Sequence, residues 1–190
     1  MFWNIPNTLT LLRILLIPVL VAIFVVPDEW EWEWSRQASA LIFLVAAVTD
    51  WFDGYLARKL DQSTPFGAFL DPVADKLMVA TALVLLVSSD PQIAVTVSAI
   101  IIVGREITIS SLREWMAELG ARATVAVSML GKLKTTAQMT AITVLLWREP
   151  LAGLPIYEIG LVLLYIAAAM TLWSMVVYLR AAWPILAGKQ

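Results

Sequence analysis

Apolar positions run along this chain in blocks long enough to cross a bilayer, and polar residues and prolines mark where each block stops. A helix needs about 20 apolar residues to span the hydrocarbon core. By that ruler six segments stand out: about Thr8 to Val26 (interrupted by Arg13 and Pro18), Gln37 to Lys59, Pro65 to Val87, Pro91 to beyond Ile109, Val125 to Trp147, and Pro155 to Leu179. The connections between them are short, and no internal repeat or low-complexity tract appears beyond Glu29-Trp-Glu-Trp-Glu-Trp34. The pattern predicts an all-α integral membrane protein of six transmembrane helices, in a single domain covering residues 1–190. The first block is expected to be a retained helix and not a signal peptide, because Met1 to Asn7 has no positive charge and Val26-Pro27-Asp28 is no small-residue cleavage site.

Composition agrees with lipid as the solvent. Hydrophobic residues make up 61% of the chain and charged residues 15%, against about 25% charged in a water-soluble domain. The net charge of −2 leaves no basic footprint for nucleic acid. The chain has neither cysteine nor histidine, which excludes disulfides, thiolate chemistry and zinc sites of the usual kind. Any metal must therefore be held by oxygen.

Lys and Arg in the connections set orientation. With the N-terminus in the cytoplasm, 11 of the 13 basic residues fall on that side and only Arg36 and Arg148 outside. Trp30, Trp32, Trp34 and Trp147 then sit in the outer interfacial belt.

Charge inside the membrane is where chemistry is expected. Asp50 and Asp53 are three positions apart and Asp71 and Asp75 four, so each pair shares one helix face. At 1.5 Å per residue, Asp53 and Asp71 each lie roughly 9 Å in from the cytoplasmic end of their helices, with Asp50 and Asp75 roughly 13 and 15 Å in. Thr64 with Pro65 forms the signature of a capped helix start. Arg58 and Lys76 could balance two of the four carboxylates; two divalent cations would balance all four, and an all-oxygen donor set favours Mg²⁺ or Mn²⁺. Gly54 and Gly67 within helices carry a cost of about 1 kcal/mol each relative to alanine, which close approach of a ligand or a neighbouring backbone would explain. A cation transporter would need acids through the whole membrane, whereas Ile14 to Val26 and Ala80 to Val87 carry none.

The run D-x-x-D-G-x-x-A-R-x8-G-x-x-x-D-x-x-x-D, filled here by Asp50, Asp53, Gly54, Ala57, Arg58, Gly67, Asp71 and Asp75, resembles the signature of CDP-alcohol phosphatidyltransferases. The resemblance extends through Asn4-Ile-Pro-Asn7 to Arg13, Gly104-Arg-Glu106, Arg113 to Gly120 and Gly131 to Gln138, where the chain is similar to bacterial members whose acceptor is glycerol 3-phosphate. It implies that fold, a bacterial cytoplasmic membrane with the site open to the cytoplasm, a homodimer, and transfer of a phosphatidyl group from CDP-diacylglycerol to glycerol 3-phosphate with release of CMP. Members that use inositol phosphate or serine share the same eight residues. By resemblance, Asp50, Asp53, Asp71 and Asp75 hold two metal ions, Asp75 also acts as base, and Asp50, Gly54, Ala57, Arg58 and Gly67 bind CDP-diacylglycerol. For an acceptor that carries its own phosphate, Arg105, Lys132 and Lys134 are the candidate cations, with Arg113 in support. The role of Arg13 stays open between lining the cavity mouth and snorkelling to the interface.

Overall fold

The computed structural model describes residues 4–25, 34–59, 64–119 and 129–186, and these form six helices: α1 (Ile5–Phe24), α2 (Ser35–Lys59), α3 (Pro65–Ser89), α4 (Ile93–Glu118), α5 (Met129–Trp147) and α6 (Ile156–Leu186). Helix α1 begins three residues before the apolar pattern does, because Asn4 caps it by accepting from the Asn7 N–H at 2.9 Å. Thr64 caps α3 as expected, accepting from the Gly67 N–H at 3.0 Å. Helix α4 starts after Pro91, at Ile93, and α6 runs about two turns past Leu179 through Pro184. The predicted start of the fifth helix at Val125 lies outside the described residues. Helix α5 ends where Arg148 adopts the left-handed conformation (φ 66°), a common way of closing a helix.

Among the described residues three helices are apolar and long enough to cross a membrane on that basis alone, within Asn7–Phe24, Ile93–Glu118 and Ile156–Pro184. Helices α2 and α3 have the length, 25 residues each, but carry the aspartates. The surface fits lipid: Leu15, Val84, Ile100, Trp173 and Trp183 are each 64–67% exposed, far more apolar surface than a soluble monomer tolerates.

Helix α1 packs against α2 and α3, α5 against α6 and α2, and α4 against α6 and α3. The resulting bundle has two unlike halves. One is dry: Leu20, Phe43, Ala46, Leu83, Ile102, Ile142, Leu146 and Leu164 are fully buried in one apolar cluster. At the far end of this half a small polar knot joins the α3–α4 turn to α6. There the Tyr157 hydroxyl donates to Asp90 Oδ2 and Gln92 Nε2 donates to Tyr157 at 2.9 Å. The other half holds the buried polar groups Asn7, Thr10, Arg13 and Lys134.

Candidate active site

The polar half is assembled from the first five helices. Asn7, Thr10 and Arg13 follow one another along one side of α1, exposed by 1%, 0% and 1%. Each meets a different part of the aspartate region. Asn7 Oδ1 accepts from the Thr64 hydroxyl at 3.1 Å, the Thr10 hydroxyl donates to Asp71 Oδ1, and Arg13 NH1 pairs with Asp50 Oδ1 at 2.5 Å. Arg13 therefore faces inward beside the carboxylates, which settles its open role against snorkelling.

Asp50 and Asp75 act on each other electrostatically, and the Asp75 carboxylate also feels Arg13, Glu106 and Lys76. Asp71 and Asp75 are half-buried on α3. The backbone of α2 passes through Asp53, Gly54, Ala57 and Arg58, but their side chains lie outside the described residues. Among the described residues no three acidic side chains are close enough to hold a metal ion. Lys76, one of the expected counter-charges, donates to Ser110 on α4, and Ser110 in turn donates to the Glu106 carbonyl at 2.6 Å.

Gly67 has one of the two kinds of reason expected of it, close approach of a neighbouring segment. A methyl carbon there would lie 2.5 Å from Asn7 Oδ1 and 3.3 Å from Thr64 Oγ1, so the Asn7 side chain of α1 fills the space beside it.

The candidate acceptor cations separate. Lys134 is buried, 7% exposed, and its ammonium lies 3.3 Å from Glu106 Oε1. Arg105 NH1 meets the same oxygen at 2.9 Å, and its Nε is buried with no hydrogen-bond partner. Lys132 and Arg113 are exposed. Two positions of helix turn a side chain through about 200°, which carries Lys132 off the face that Lys134 occupies. Asp75 on α3 lies within electrostatic reach of the Lys134 ammonium.

Glu106 and Thr10 are site residues that the sequence reading passed over. Glu106 could have been found by the argument applied to the aspartates, since it is an acid within an apolar helix. Thr10 could not, because a threonine in an apolar helix ordinarily bonds its own backbone.

This arrangement offers two neighbouring subsites of opposite sign. Among the described residues Asp50 is ion-paired with Arg13 and Asp71 accepts from Thr10, while Arg105 and Lys134 share the single carboxylate of Glu106. The first suits hard cations and the second a phosphate.

Residues 3–173 match the family model for CDP-alcohol phosphatidyltransferase. Curated proteins named CDP-diacylglycerol--glycerol-3-phosphate 3-phosphatidyltransferase from Shigella flexneri serotype 5b and Escherichia coli K12 are each 56% identical over 182 residues, covering 96% of this chain and 96% of the relative. The protein of that name from Salmonella choleraesuis is 54% identical over the same share.

Proposed function

This chain belongs to the CDP-alcohol phosphatidyltransferase family, and on that premise we propose that it transfers the phosphatidyl group of CDP-diacylglycerol to glycerol 3-phosphate, releasing CMP. The observation that carries this reading is the pairing of Arg105 and Lys134 with one carboxylate, Glu106, within electrostatic reach of Asp75. A phosphate-bearing acceptor bound there would present its free hydroxyl toward the aspartates.

The donor chemistry suits a divalent ion: Asp50, Asp71 and Asp75 offer hard oxygens, although the three do not meet at one point among the described side chains, no histidine or cysteine exists in the chain, and Asp53 adds a fourth carboxylate by its place on α2. Mg²⁺ or Mn²⁺, two ions in the full reading, would supply Lewis-acid stabilisation to the charge that develops on the phosphoryl oxygens. The protein's own residues do the rest. Arg105 and Lys134 grip the acceptor phosphate. Asp75 takes the proton as the acceptor hydroxyl forms its bond to the phosphatidyl phosphorus. The bond from that phosphorus to the bridging oxygen breaks, and CMP departs with the electron pair. Asp50, Gly54, Ala57 and Arg58 hold the CDP moiety, Arg58 through charge-assisted hydrogen bonds to phosphate. Arg13 keeps Asp50 in place.

In this reading the chain forms one domain of six membrane-spanning helices, with the N-terminus and the site on the cytoplasmic side, acting as a homodimer in the bacterial cytoplasmic membrane. The excess of Lys and Arg in the cytoplasmic connections supports that orientation. Purified protein incubated with CDP-diacylglycerol and either glycerol 3-phosphate, inositol phosphate or serine tests the assignment. CMP release is expected only with glycerol 3-phosphate, and release with another acceptor in its place refutes it.

A further inference from the structure

The buried face of α5 carries a polar group that neither the carboxylates nor the cations use. Lys134, Gln138, Ala141, Ile142, Leu145 and Leu146 are buried along it. Gln138 follows Lys134 by four positions, so it lies on the same face, about one turn or roughly 6 Å further along the helix. Gln138 is 5% exposed, and its side-chain oxygen Oε1 is buried without a hydrogen-bond partner. An orphaned acceptor in an apolar interior is costly and rare.

It does not stand alone. Gly160 on α6 packs against Val144 and Leu145, and that antiparallel register brings Thr171 level with Lys134. Thr171 is fully buried and its hydroxyl is likewise unpartnered. With Arg105 Nε, unsatisfied polar atoms thus stand on α4, α5 and α6 within about a turn of the level of Lys134. A polar ligand larger than a phosphate alone would satisfy them.

We propose that Gln138 accepts a hydrogen bond from the middle, non-reacting hydroxyl of the acceptor and so selects glycerol 3-phosphate over phosphate esters lacking that hydroxyl. This rests on the acceptor reading above. Arg105 and Lys134 satisfy the phosphate, and Asp75 takes the proton of the terminal hydroxyl. The middle hydroxyl is then a donor in need of an acceptor. Two carbons separate it from the phosphate ester oxygen, a span shorter than the helical turn between Lys134 and Gln138. A site built to bond a hydroxyl rejects the analogue without one far better than an apolar pocket could.

The test compares kcat/KM for glycerol 3-phosphate and for 3-hydroxypropyl phosphate, read as CMP release, in the intact protein and in Gln138→Met and Gln138→Leu, together with the thermal midpoint of each without substrate. The intact protein should prefer glycerol 3-phosphate by on the order of tenfold or more. Either apolar variant should bring that preference to within about threefold while leaving the midpoint unchanged or raised, since it removes an unpaired acceptor. A folded variant that keeps the preference overturns the proposal, as does a lowered midpoint with the preference intact, which is the mark of a structural role. An intact protein that uses both esters equally well also refutes Gln138 as selector but leaves the acceptor reading standing. Failure of the intact protein to use glycerol 3-phosphate at all would instead bring down the acceptor reading itself.

Discussion

Lys132 and Lys134 look alike in sequence, and the structure predicts that they are not. Lys134 is buried and shares Glu106 with Arg105, whereas Lys132 is exposed. Replacing Lys134 by methionine keeps most of the aliphatic stem and removes the charge. A hydrogen bond to a charged group contributes about 1.5–3 kcal/mol, which is about 10- to 150-fold in affinity. Glu106 already occupies the ammonium in the free protein, so the phosphate gains only the difference, and the lower part of that range, about 10- to 30-fold, is expected. Lys132→Met removes a screened surface charge, for which exposed pairs set a ceiling of about 1 kcal/mol or fivefold.

The assay is steady-state CMP release in mixed micelles, varying glycerol 3-phosphate at saturating CDP-diacylglycerol and then the reverse. The Michaelis constant for glycerol 3-phosphate should rise in Lys134→Met, with that for CDP-diacylglycerol unmoved. Loss of the lysine leaves Glu106 and Arg105 as a balanced pair, so the thermal midpoint should hold. The double variant Lys134→Met with Glu106→Gln strands Arg105 without its carboxylate and should lower the midpoint without recovering acceptor affinity. Equal effects of the two lysines, or an effect confined to CDP-diacylglycerol, would refute this reasoning.

Excess chelator should stop CMP release and added Mg²⁺ or Mn²⁺ restore it, while Asp50→Ala and Asp71→Ala stay inactive under all three conditions; full turnover in chelator would refute the metal assignment. Gly67→Ala should lower the thermal midpoint by the equivalent of about 1–3 kcal/mol, because the added methyl meets Asn7. A raised Michaelis constant for CDP-diacylglycerol at an unchanged midpoint would return Gly67 to the ligand. The chain lacks cysteine, so single cysteines at Glu118 and Glu149 report topology without background. An impermeant maleimide should reach position 149 from outside intact spheroplasts and position 118 only after permeabilisation, and the opposite pattern would invert the bundle.

What sequence made legible was local. Aspartates spaced three and four apart, a Thr-Pro helix start and apolar runs of membrane length are all encoded within a few turns of helix, and the helices and the Thr64 cap follow from them. What stayed hidden depends on which helix lies against which. Asn7, Thr10 and Arg13 read as three unrelated polar residues until α1 packs against α2 and α3, at which point all three address the aspartate region. Gly67 read as room for a ligand or a neighbouring backbone, and nothing nearby in sequence announces that the neighbour is Asn7. Lys132 and Lys134 lie two positions apart near the start of α5, and only the azimuth about that helix separates them.

The arrangement of charge explains how one bundle can fold with so many ionisable groups and still bind ligands of both signs. Among the described side chains of the polar half, Asp50, Asp71, Asp75 and Glu106 stand against Arg13, Lys76, Arg105 and Lys134. The balance is formally even, and this keeps the cost of burying charge in a low-dielectric interior within reach of folding. The balance is not local, however. Lys76 is turned toward Ser110 on α4, which leaves Asp50 with Arg13 as its direct partner and the aspartates with a negative excess. Arg105 and Lys134 hold one carboxylate between them and a positive excess. A cation on the first side and a phosphate on the second each relieve the excess they meet, and each raises the field that draws in the other. Binding of a divalent ion should therefore tighten glycerol 3-phosphate, and by linkage the acceptor should tighten the ion by the same factor. Titration of Mn²⁺ at fixed acceptor concentrations, followed by calorimetry without CDP-diacylglycerol, should show that mutual gain in the intact protein and its loss in Lys134→Met. Affinity for Mn²⁺ that is blind to the acceptor would show that the two subsites do not share one field.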